Sequence, residues 1–268
     1  MLKSSISDFS EEEKNRVVNL LKSNIPIKTI RKKTGLDFNS ILFLAKCNDI
    51  HIDSKDMCQY NIDDNRVLIM ADNHLGNKYE KRKFLDKVYN YAIRNNIRSV
   101  FHSGDAIQGN IDPKTMDLDR QVDTFVKSYP RDRNITTYLL CGNHEFRAFK
   151  YGEDMMQYMF SRKDIKYLGF GKAYLNYHNK FISLSHYISK YYIDIPYTKS
   201  FIDFAGHHHY LKVDKNQIYV PTLSRDLKKK DNYSGFLEMY LDNDNIIVEA
   251  KEIYNKIDNR GIVLKKRL

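Results

Sequence analysis

Five short clusters in this 268-residue chain carry side chains that bind cations. In order they are Asp72-Asn73-His74, Gly104-Asp105, Gly142-Asn143-His144-Glu145, Ser185-His186 and Gly206-His207-His208-His209. Carboxylate, imidazole and amide oxygen together suit divalent metals such as manganese, iron, zinc or nickel. The chemistry open to such a set is the binding of a divalent cation. One cluster alone is weak evidence, because a lone Gly-Asp is more often a turn and a lone His more often a core residue. The signal lies in five of them together.

Something must bring the clusters to one place. Val67–Met70, Ser99–Phe101 and Ile135–Leu140 are apolar runs that read as buried parallel strands, and each ends in a cluster. Lys81–Arg94 and Leu118–Ser128 read as amphipathic helices between them. Side chains at the carboxyl ends of adjacent parallel strands converge on one crevice. From Tyr167 onward strands dominate, with candidates at Phe181–Leu184, Gln217–Val220, Phe236–Leu241 and Ile246–Ile253.

The N-terminal quarter has a different texture. Ser10 and Glu13 form a capping box ahead of the apolar face of Val17, Leu20 and Leu21. A second helix fits Ile27–Lys33 behind Pro26, Thr34-Gly35-Leu36 is a tight turn, and Phe38–Cys47 fits a third. Helix, glycine turn, helix is the helix-turn-helix pattern. The candidate recognition helix would present Asp37, Asn39, Ser40 and Lys46, a poor set for phosphate contact. A trihelical adaptor is the alternative. Residues 50–65 are polar and aperiodic and read as a linker.

Taken in order, Asp-x-His, Gly-Asp, Gly-Asn-His-Glu, a single His and Gly-His-x-His resemble the motif series of the calcineurin-like metallophosphoesterases. The resemblance spans residues 66 to about 250 and supplies all seven expected ligand positions. It implies an α/β fold, a two-sheet α/β/β/α sandwich in residues 61–268, and the helical pattern described above makes residues 1–60 a small all-α domain ahead of it. It also implies two divalent metal ions, manganese before iron, zinc or nickel. One would be held by Asp72, His74, Asp105 and His209, the other by Asn143, His186, His207 and the shared Asp105. Such pairs sit about 3.5–4 Å apart. His144 is implied to be catalytic, donating a proton to the phosphoryl or leaving oxygen, a role suited to imidazole. Glu145 either orients it or is structural. His208 should turn away by strand alternation, and His102 reads as a buried structural residue.

The series departs from the protein Ser/Thr phosphatases of this superfamily. Those carry Gly-Asp-x-x-Asp-Arg-Gly, whereas this chain has Gly104-Asp105-Ala106-Ile107-Gln108-Gly109, without the second acid or the arginine. Arg147 is a partial substitute. Between His186 and His207, basic and aromatic residues interleave, with Lys190 and Tyr191 as candidate substrate contacts. Such a loop suits a phosphate chain and stacked bases, or else the tyrosines cover a sheet edge.

The bulk numbers narrow the partners. Formal net charge is +10 with pI near 9.2. Residues 1–65 hold 10 basic and 10 acidic side chains, so the whole excess belongs to the remainder. Basic runs stand at Lys81-Arg82-Lys83, Lys228-Lys229-Lys230 and Lys265-Lys266-Arg267. A polyanion, nucleic acid above all, is the expected partner. The three cysteines, at 47, 58 and 141, lack the spacing of a disulfide framework or zinc ribbon. No apolar stretch is long enough to span a bilayer and no signal-peptide core opens the chain, so the expectation is a cytoplasmic protein without membrane attachment. The sequence therefore supports a nuclease or other phosphodiesterase acting on DNA or RNA. The alternatives are a phosphodiesterase or phosphatase for cyclic or linear nucleotides, and a non-catalytic nucleic-acid-binding regulator.

Overall fold

A computed structural model describes residues 9–23, 25–52, 57–109, 116–151, 158–188, 200–224 and 234–268. Three helices come first, α1 (Glu11–Lys22), α2 (Ile27–Thr34) and α3 (Phe38–Cys47). The capping box forms as expected: Ser10 Oγ accepts from the Glu13 amide, and Glu13 returns a bond to the Ser10 amide. Gly35 ends α2 in the left-handed conformation that a helix C-cap favours.

The body that follows is built on two sheets. Its elements are β1 (Tyr60–Ile62), β2 (Arg66–Met70), α4 (Arg82–Arg94), β3 (Ser99–Ser103), α5 (Leu118–Ser128), β4 (Thr136–Cys141), α6 (Asn143–Tyr151) and β5 (Ile165–Phe170). Then come β6 (Lys172–Tyr177), β7 (Lys180–Ser185), β8 (Ile202–Ala205), β9 (Lys212–Asp214) and β10 (Gln217–Tyr219). The chain closes with β11 (Gly235–Asp242), β12 (Asn245–Ile253) and β13 (Ile257–Arg267). One sheet runs β13-β12-β11-β2-β3-β4-β5, with β2 to β5 parallel; the other runs β1-β6-β7-β8-β10-β9.

Alternation along the central strands separates two cores. Val67, Ile69, Phe101 and Leu140 face the second sheet, where Leu175, Ile182, Leu184 and Phe204 meet them. Leu68, Met70, Val100 and Leu139 face Leu85, Val88, Val122 and Phe125 of α4 and α5. Strands covered on both faces are continuous apolar runs, which is why they were readable.

The outer face of the second sheet is covered by the N-terminal helices. Tyr174 of β6 is fully buried among Val17, Ile30, Phe38 and Ile41, with Phe181 stacked on it at 4.7 Å. The sandwich thus has four layers, and the three helices supply the fourth. In α3, residues 41, 42, 44 and 45 are all buried, so packing occupies two sides of it. Asp37 and Ser40, expected on a nucleic-acid face, bond each other as the cap of α3; the side chains of Asn39 and Lys46 lie outside the described residues. The expected linker at 50–65 contains β1, which pairs in parallel with β6, and the Gln59 side chain donates to the Leu168 carbonyl at 2.7 Å. No helix among the described residues is long and apolar enough to cross a membrane.

Candidate metal centre

The ends of β2, β3 and β4 are stitched together beyond the last strand residues. The Asp72 amide donates to the Gly104 carbonyl at 2.9 Å and the His74 amide to the Asp105 carbonyl at 3.0 Å. Parallel pairing therefore continues into the loops that carry the donors. Asp72, His74, Asp105, His207 and His209 all have positive φ, between 48° and 78°. Left-handed backbone at five of the seven predicted ligand positions marks a shape that the sandwich imposes on these side chains. At Gly142 a Cβ would collide with the Asp105 carboxylate and stand 2.7 Å from His186 Nε2, so only glycine lets β4 pass this close.

The predicted ligands fall into overlapping groups. Asp72, His74 and His209 bring donor atoms within 4.8 Å of one another, as do His74, Asp105 and His144, and Asp105, His186 and His207. His74 Nε2 is 3.1 Å from His209 Nε2, and His209 Nε2 is 3.2 Å from Asp72 Oδ1. On the other side, Asn143 Oδ1 lies 3.1 Å from both His186 Nε2 and His207 Nδ1. Asp105 Oδ2 stands between the groups, 3.2 Å from His186 Nε2 and 3.9 Å from His74 Nε2. Donor atoms about 3 Å apart match the spacing around an ion bonded at about 2.0–2.2 Å. The donor set fits two divalent cations sharing Asp105.

Neighbouring groups orient the donors. His186 Nδ1 donates to the Ser103 carbonyl at 2.6 Å, which leaves Nε2 facing Asp105. The Asp72 carboxylate accepts from the His207 amide at 3.0 Å. The field follows. Burial pushes the Asp105 carboxyl up, but His186, His144 and His74 around it pull it further down, below the usual carboxylate range. Burial likewise raises Asp72, and its contact with His209 more than reverses that. Burial lowers His186, yet Asp105 overrides it and raises the imidazole to about 9. The crevice favours positive charge beside its two carboxylates. His74 behaves oppositely, because burial dominates and holds it near 4, a neutral donor.

His144 and Glu145 take separate roles. The His144 amide donates to Asp105 Oδ1 at 3.0 Å, and its Nδ1 bonds the Gln108 carbonyl. That fixes the Nδ1 proton and turns Nε2 toward the donors, 3.7 Å from Asp105 Oδ2. Burial pulls its pKa below the usual imidazole value, against Asp105 and the Gln108 carbonyl. Glu145 does not touch His144's ring nitrogens. Its buried carboxylate accepts from the amides of Asp105 (3.0 Å), Ile107 (2.9 Å) and Gly142 (2.8 Å). Its function is to pin the Gly-Asp loop to the Gly-Asn-His loop.

The remaining sequence candidates divide. Arg147 is exposed on α6, near enough for its charge to oppose protonation of His144. Lys190, Tyr191 and Lys228–Lys230 lie outside the described residues. His208 is exposed and packs on Tyr219 at 4.6 Å, but it sits in a bend after β8, so strand alternation is not the cause. His102 is fully buried in β3 and accepts from the Gly104 amide at 3.2 Å. Tyr187, exposed, lays its ring against His207 at 5.2 Å. The carbonyls of Ser103 and Gln108 had no signal in sequence, because backbone acceptors have none.

Comparison with solved structures places similar architectures beside this one. Vacuolar Protein Sorting 29 of Cryptosporidium parvum is 13% identical over 76% of this chain and 98% of its own, with a TM-score of 0.47. The phosphoesterase Yfce of E. coli is 12% identical over 75% and 98%, with a TM-score of 0.46. A predicted phosphoesterase of Streptococcus pneumoniae TIGR4 is 13% identical over 74% and 97%, with a TM-score of 0.41. No curated protein matches the chain. The sequence model of calcineurin-like phosphoesterases matches residues 65–252, the stretch that contains every donor described above. With that match over most of its length, the chain belongs to the calcineurin-like phosphoesterase family.

Proposed function

We infer that this chain is a two-metal phosphodiesterase that cuts nucleic acid. The observation that carries this reading is Asp105, whose Oδ2 faces His186 at 3.2 Å and His74 at 3.9 Å and so stands in both donor groups. Two divalent cations held there, manganese by preference, would supply Lewis acidity toward the phosphoryl group and lower the pKa of bound water to about 7. Asp72, His74, His209, Asn143, His186 and His207 complete the two shells. His144, protonated on both ring nitrogens, would give its Nε2 proton to the leaving oxygen while its Nδ1–H stays bonded to the Gln108 carbonyl. A diester carries one negative charge and needs no arginine clamp, in keeping with the Ala106-Ile107-Gln108-Gly109 run. The +10 net charge supports a polymeric substrate. Exposed Lys28, Lys32 and Lys33 on α2, rather than the packed α3, are the N-terminal contribution to that field.

The test is a screen with manganese over single-stranded DNA, duplex DNA, RNA, cyclic nucleotides and a small chromogenic diester. Oligonucleotide cleavage should fall steeply with ionic strength while hydrolysis of the small diester does not. Asp105→Asn should abolish both. Turnover of cyclic nucleotides alone, indifferent to salt, would replace the nuclease reading with a small-molecule one.

A further inference from the structure

A second concavity, of about 490 Å³, lies on the helix side of the seven-stranded sheet. Lys87, Asn90, Tyr91 and Arg94 of α4 line one wall, and Asn255 and Lys256 of the β12–β13 turn with Ile257 of β13 line the other. Register gives its position. Leu237 pairs with Ile69 and Gly235 with Glu252, so the end of β12 is level with the end of β2, which leads into Asp72. Two strand spacings of about 4.8 Å separate them, so the turn lies roughly 10 Å from the strand that carries the first donors.

The turn is held in one shape. Lys87 Nζ donates to the carbonyls of Tyr254 (2.9 Å) and Asn255 (2.8 Å), and Tyr254 is left 65% exposed. The Tyr91 hydroxyl is tied to Glu238 at 2.8 Å, so that ring is a fixed wall. Lys83, Lys87 and Arg94 fall on one helix face and span about 16 Å at 1.5 Å per residue, with Lys87 engaged by the turn carbonyls and Lys83 and Arg94 exposed on either side of it. Lys256 adds a fourth cation; its partner Asp258, at 3.1 Å, is exposed with it, and a pair of that kind yields readily to phosphate. Arg94 and Lys256 in the groove, with the exposed ring of Tyr254 beside it, next to the lining residue Asn255, are the elements that hold an unpaired polynucleotide.

We propose that this groove binds single-stranded nucleic acid outside the metal centre, with Tyr254 stacking on a base and Arg94 and Lys256 on phosphates. The proposal rests on the nuclease reading for its substrate class, but it is tested by binding and not by cleavage. Fluorescence anisotropy with labelled oligothymidylate and oligouridylate, a duplex and polyglutamate, on the full chain, compares wild type, Tyr254→Ala and Arg94→Gln/Lys256→Gln. Thermal melts verify that each variant folds. Tyr254→Ala should weaken single-strand binding about tenfold, the size of one base stack. The double variant should lower the slope of log affinity against log salt by about 1.4, as for two single-strand phosphate contacts. The two oligonucleotides rank DNA against RNA. Unchanged affinity in both variants, no binding by wild type, or polyglutamate bound as tightly would overturn the groove. Loss of binding in the variants with no cleavage by wild type would leave the groove standing and remove the nuclease.

Discussion

The carboxylate of Glu145 holds the backbone amide of Asp105 at 3.0 Å and that of Gly142 at 2.8 Å. One buried side chain thereby sets the separation between the loop that carries the shared carboxylate and the loop that carries Asn143. Glu145→Gln keeps the shape but puts an NH2 donor where one carboxylate oxygen accepts, so either the Ile107 amide or the Asp105 and Gly142 amides lose their acceptor. Metal affinity should fall by about 10- to 100-fold, as for other groups that orient ligands. Isothermal titration with manganese measures it, and the melting temperature should fall as well. Wild-type affinity in this variant would reduce Glu145 to filler.

His144→Ala should leave both metals bound and lower turnover of a diester by about 10²- to 10⁴-fold. Metal content by elemental analysis and single-turnover rates separate the two effects. Full activity would remove His144 from the chemistry.

Burial pushes the His102 imidazole from its ordinary 6.5 down to about 3. Above pH 6.5 the ring is neutral folded or unfolded and contributes nothing to pH dependence. As pH falls below 6.5 the unfolded chain takes up a proton that the native state refuses, so stability drops toward acid. At pH 5 this amounts to about 2 kcal/mol. His102→Gln keeps an acceptor for the Gly104 amide, and its melting temperature should fall less steeply between pH 7 and 5 than that of wild type. Parallel slopes would contradict the assignment.

Deleting residues 1–52 strips the cover from Tyr174 and Phe181, two rings stacked at 4.7 Å. Exposing each costs about 2 kcal/mol, so the truncated chain should melt lower and tend to aggregate. Chemical denaturation of full-length and truncated protein checks this. Equal stability would mean that the helices are an appendage and not a layer.

Those sequence features that rest on strong chemistry were legible. The run at Val67–Met70 is buried on both faces, as are Leu139 and Leu140 at the end of Ile135–Leu140, and the donors follow at their ends. β13, eleven residues long, was read only as a basic tail, because an exposed edge strand has no burial pattern to betray it. Lys266 in that tail spends its charge inside the molecule, on the Phe201 carbonyl and Asn216 at 2.8 Å. β1, three residues long and half polar, reads as linker in the sequence, since only its pairing with β6 makes it a strand. The burial of α3 could not be seen either, because its cover comes from Tyr174, more than a hundred residues away.

Five donors with left-handed backbone give the crevice its outline before any ion arrives. Each such residue stores on the order of 1–3 kcal/mol that the surrounding sheets must restrain. The socket thus gathers five of the eleven left-handed non-glycine positions among the described residues, and a remote weakening of the sandwich should loosen it first. Cations would then escape from a chain that still looks folded to circular dichroism, and catalytic lifetime would end well short of the melting point.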